Sequence, residues 1–152
     1  MLLVYLGILI VLIYTIVLCV KNKTIPPSVS ETWYMGGKHW FTITMFIASF
    51  LVIAGLLNLT EGSNWQFISF LTGIGMAFVG AAPEFHEEFA GKVHVGGAIA
   101  LLAGSQLWVT LFSTPWCLLC WLPAIWWLTT PQKVFWCEMT AIASVALSLL
   151  FV

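Results

Sequence analysis

The run "MLLVYLGILIVLIYTIVLCV", residues 1–20, has no charged side chain and no helix breaker apart from Gly7. At 1.5 Å per residue, twenty helical residues span about 30 Å, the thickness of a bilayer's hydrocarbon core. A cleaved secretory signal would show a basic start, a shorter apolar core and a small-residue cleavage site. The run has none of these, so the expectation is a retained transmembrane helix.

The rest of the chain agrees in composition. Of 152 residues, 61% are hydrophobic and only 7% are charged. Soluble domains are about 25% charged, so these few charges cannot cover a water-facing surface. The reading is an all-α, polytopic transmembrane helix bundle forming one integral membrane domain over residues 1–152. A net charge of −1 gives no sign of nucleic acid, and none is expected as a partner; the absence of Arg excludes bidentate phosphate clamps. The partner is the lipid bilayer.

Six spans are expected, at about 1–20, 40–58, 65–82, 93–112, 115–129 and 132–152. The fifth is short and holds Pro123, so five spans plus a re-entrant segment is the alternative. Ser113 or Thr114 followed by Pro115, and Thr130 followed by Pro131, mark helix starts. Trp40, Trp65, Trp116 and Trp136 sit near starts too, where interfacial aromatics gather. With six spans all five lysines (Lys21, Lys23, Lys38, Lys92, Lys133) fall in loops on one side, which the positive-inside rule makes cytoplasmic. Both termini are then non-cytoplasmic, and the expected location is a bacterial inner (plasma) membrane. Five spans would strand Lys133 outside.

The polar residues follow the lysines. "PEFHEEFAGKVHVGGAIA", residues 83–100, holds Glu84, Glu87, Glu88, His86 and His94. His39, Glu31 and Glu138 map to the same side; only Glu61 lies opposite. Pro83 and the acids after it read as the start of span four. Glu88 and Lys92 make an ordinary i,i+4 pair. On a helix Glu87 and His94, seven residues apart, align across Gly91. An ionisable group entering a membrane usually faces the bundle interior and marks a site. The expectation is a shared cavity in which Glu87 and His94 meet Glu138, His39 or Ser30. Ser28-x-x-Glu31 matches a capping box, so the first loop should hold a short helix, either on the headgroups or folded as a lid that brings Ser30, Glu31 and His39 towards His94.

Two small-residue ridges, Gly96/Ala100/Gly104 and Gly73/Ala77/Gly80, suit close helix packing within a protomer or in a homo-oligomer; packing of spans three and four on each other is preferred. His39, His86 and His94 with carboxylates could supply a zinc site with an open position for water. That combination resembles the seven-span ceramidase and receptor-related hydrolases, which carry Ser, Asp and His at one membrane face. This chain has no Asp, no H-x-x-x-H and one span fewer. Cys117 and Cys120, in "TPWCLLCW", resemble the W-C-x-x-C of quinone-linked disulfide-forming membrane enzymes over about six residues, which implies thiol–disulfide chemistry. Cys19 and Cys137 map to the other face, away from where those enzymes need a second pair.

The leading functional expectation is a non-enzymatic module for ion, proton or small-ligand binding, transport or effector action. The alternatives are a metal-dependent membrane hydrolase and a thiol–disulfide oxidoreductase.

Overall fold

The computed structural model describes residues 1–36 and 38–152. It is all-α: α1 (Leu2–Asn22), α2 (Lys38–Leu59), α3 (Phe67–Ala81), α4 (Glu88–Phe112), α5 (Ala124–Trp127) and α6 (Lys133–Ser148), with 3-10 helices at Ser30–Trp33 and Pro115–Trp121. Three helices, α1, α2 and α4, are long and apolar enough to cross a membrane. Large apolar side chains stand exposed along the outside, Phe50 at 72% and Trp126 at 78% among them. Together with the three long apolar helices, such a surface suits a lipid environment.

α1 ends where Lys23 takes a left-handed conformation (φ 52°), and the amide of Thr24 reaches back to the Cys19 carbonyl (3.2 Å). Lys21 and Lys23 there oppose the negative end of the helix dipole. Pro26 and Pro27 prevent the helix from resuming, and the chain turns back into the bundle. α1, α2, α3 and α4 then pack as successive antiparallel neighbours, α3 and α4 most extensively.

The reason for that last contact lies in two glycines. A Cβ on Gly75 would meet the Gly97 carbonyl at 2.7 Å, and one on Gly97 would meet the Gly75 carbonyl at 2.8 Å. The two backbones therefore touch directly, in the small-residue packing available to membrane helices. The ridges expected from sequence are out of phase with this contact. Gly96 has open space around it, whereas Gly73 and Gly80 face Ile53 and Met45 of α2. Of those residues Gly104 does meet α3, at Thr72.

Several expected boundaries move. α4 starts at Glu88 rather than in the Pro83 turn, with Glu87 as its extended N-cap residue. α3 is only fifteen residues long. The segment 115–129 is no continuous α-helix. It is a seven-residue 3-10 helix, a turn at Leu122–Pro123 and one α-turn; Pro123 has no N–H to donate to a continuing helix.

That broken segment still runs antiparallel along α6. Ser113 Oγ donates to the Ser148 carbonyl (2.8 Å) at one end. In the middle, Gln106 Oε1 accepts both Trp121 Nε1 (2.9 Å) and Ser144 Oγ (2.8 Å). Trp127 stacks on Trp136 (5.3 Å) at the other. A 3-10 helix rises about 2.0 Å per residue, which lets few residues cover much of the bundle's length. The loops 23–36, 82–87 and 128–132 thus share one end with every lysine, and 60–66 and 113–114 share the other.

Candidate functional site

His94 lies in the second turn of α4 and is 5% exposed. Its Nδ1 is 2.9 Å from the Ala82 carbonyl, at the end of α3, and its Nε2 is 2.8 Å from Ser30 Oγ. A carbonyl can only accept, so in the neutral ring Nδ1 carries the proton. Nε2 is then the acceptor, and the Ser30 hydroxyl donates to it. Phe85 stacks on the imidazole (4.6 Å, 30°) and holds its plane.

Ser30 reaches this position because the first loop folds inward. Ser30, Thr32 and Trp33 of the first 3-10 helix are buried. The turn keeps a trace of the capping box: the Glu31 amide donates to the carbonyl of Ser28 (3.2 Å) and approaches its hydroxyl (3.3 Å). The Phe135 amide donates to the Pro27 carbonyl (2.9 Å), and the Val29 amide donates to Glu138 Oε2 (2.6 Å). Both bonds tie the loop to α6. At the surface Tyr34 stacks on His86 (4.2 Å, 10°), and His86 Nε2 lies 3.4 Å from Glu31 Oε1. This segment forms a lid over the lysine-bearing end, with Ser30, Thr32 and Trp33 turned into the bundle.

Behind the lid runs an interior cavity of about 100 Å³, lined by residues of α1, α2, α3, α4 and α6. Ser30 and Glu138 line its lysine-bearing end, and Val4, Leu56 and Trp108 its far end. From Ala98 to Trp108 along α4 the slot extends about 15 Å, at 1.5 Å per residue. Between those ends its walls are apolar apart from Thr72 and Ser105, and no Lys, Arg or His is among the described residues that line it. Trp108 is fully buried, and its indole N–H has no hydrogen-bond partner among the described residues.

The sequence-derived site is therefore brought together only in part. Ser30, His94 and Glu138 converge. Glu87 is exposed at the helix start, because α4 begins one residue too late to turn it inward. His39 is exposed at the start of α2. His86 and Glu31 pair on the outer face of the lid. The three histidines are thus held apart, with both ring nitrogens of His94 already engaged. Among the described residues no group of three His, Cys, Asp or Glu could hold a metal ion, so the zinc expectation has no assembled ligand set.

All four cysteines are free. Cys117 is 1% exposed within an apolar cluster with Trp108 and Val145, which suits packing. Trp108, Thr72 and Gln106 were not singled out from the sequence, and a lone Gln in an apolar span was the available signal for the last.

Comparison with protein-family models, with curated proteins and with solved structures finds no match to this chain. Geometry alone then carries the functional reading.

Proposed function

We propose that this chain is an integral membrane protein that crosses the bilayer six times, with its lysine-bearing end in the cytoplasm, and binds a single-chain amphiphile in its interior slot. The ligand class is a neutral one, a fatty monoester of a polyol. The observation that carries this reading is the slot itself: narrow, apolar, set behind the lid, and polar at Ser30 and Glu138. Ligand sites are mostly apolar with a few convergent polar groups that fix orientation. An ion would need several oxygen donors, whereas these walls are hydrocarbon. A fatty acid's carboxylate would find no cation and would face Glu138; a hydroxyl-bearing head can donate to Glu138 instead. The six-span arrangement is supported by the broken segment's run along α6 and by the grouping of all lysines at one end.

The test is native mass spectrometry of the purified chain titrated with a monoacylglycerol of medium chain length. The parent should retain one ligand per chain. Ala98→Phe, which fills the slot, should lose it while remaining folded by size exclusion. Equal retention by parent and variant would overturn the reading.

A further inference from the structure

We propose that Ser30 is a nucleophile and His94 its general base, so that the chain cleaves the ester of the amphiphile it binds. This rests on the binding reading above and adds a reaction to it.

Three relations support the assignment. The Ser30 hydroxyl donates to His94 Nε2 at 2.8 Å, within the reach a nucleophile–base pair requires. The Ala82 carbonyl fixes the productive tautomer from behind, at 2.9 Å, as the orienting third member of such a group. Ser30 lines the slot and His94 does not, so the nucleophile stands between base and ligand. Moreover, Ser30 opens the 3-10 helix, so its amide has no acceptor within that helix, which puts a backbone donor on the nucleophile itself for a developing oxyanion.

The reaction balances with water as its only co-reactant. Ser30 Oγ attacks the ester carbonyl as its proton passes to His94 Nε2. The bond from the acyl carbon to the polyol oxygen breaks, and His94 returns that proton to the departing alkoxide, leaving acyl-Ser30 and free polyol. Water then adds to the acyl carbon, giving a proton to His94. Ser30 Oγ departs and recovers it, and the fatty acid is released. Because Ala82 supplies a neutral carbonyl where many such triads have a carboxylate, the imidazolium gains less stabilisation and turnover should be slow.

The experiment treats the full-length detergent-purified chain with a decyl fluorophosphonate, which phosphonylates activated serines with loss of fluoride. Peptide mapping should locate one adduct on Ser30. His94→Gln, checked for folding by size exclusion, should form it at least about 100-fold more slowly, the usual contribution of a general base. Ser30→Ala should form none. An adduct on another residue, or an unchanged rate in folded His94→Gln, overturns the proposal. So does the absence of an adduct on a parent protein that retains monoacylglycerol, which leaves the binding reading standing. A parent that neither retains the ligand nor reacts removes both.

Discussion

The backbone N–H of Val29 donates to Oε2 of Glu138 at 2.6 Å, joining residues 109 apart in sequence and fastening the lid to α6. Glu138→Leu would leave that buried donor unpartnered, at about 1–3 kcal/mol. Glu138→Gln keeps a carbonyl acceptor and should hold most of it. Thermal unfolding in detergent should separate the two variants, since each kcal/mol shifts Tm by about 2–4 °C in a chain of this size. Equal losses would mean that the bond contributes nothing.

Two adjacent glycines on α4 should respond oppositely to a methyl group. Gly96→Ala meets nothing within 4 Å and removes a flexible helix position, for a gain of about 0.5–1 kcal/mol. Gly97→Ala pushes a Cβ to 2.8 Å from the Gly75 carbonyl and should lose about 1–3 kcal/mol as α3 is forced away. Denaturation of the pair, side by side, checks the helix phase directly; the reverse ranking is incompatible with it.

Gln106 holds the broken segment through Trp121 and Ser144. Gln106→Leu strands the Trp121 indole N–H, while Ser144 keeps the Ala141 carbonyl (2.9 Å), and should loosen residues 115–121, so that buried Cys117 reacts with a maleimide several-fold faster than in the parent. Cys117→Ala/Cys120→Ala should retain monoacylglycerol as the parent does, because neither sulfur lines the slot. Loss of the ligand in a folded double variant would return attention to the thiols.

Ser63 and Lys92 lie at opposite ends of the bundle. Single cysteines at these positions, placed in a background lacking the native four, should be labelled by an impermeant maleimide from opposite sides of a sealed vesicle. Labelling from one side is inconsistent with the six-crossing arrangement.

Length and hydropathy made the long helices legible, and counting lysines by loop anticipated the end to which the polar residues go. Ser30 and His94 could be suspected because a Ser and a His entering one membrane face have few other partners. Glu87 could not be separated from them, since its helical phase matches that of His94. Only the starting residue of α4, set by a turn with no strong signature of its own, leaves it outside. The slot was equally invisible: a void is a property of how five helices fail to fill space, and no single helix's periodicity records it. The 3-10 character of 115–121 follows from tertiary anchors such as Gln106, which local propensity does not contain.

The direct backbone contact between α3 and α4 has a bearing on how the chain enters a bilayer. Fifteen residues rise only about 22 Å as an α-helix, less than a hydrocarbon core, so α3 is a weak insertion signal by itself. α4, at 25 residues, is long enough to span by itself. With Gly75 set against Gly97, and a connection of only 82–87 between them, the pair can partition into lipid as one hairpin once α4 has been synthesised. The lid's contact with His94, made at the base of that hairpin, can therefore be completed only once the hairpin has entered, although the lid itself is synthesised well before it.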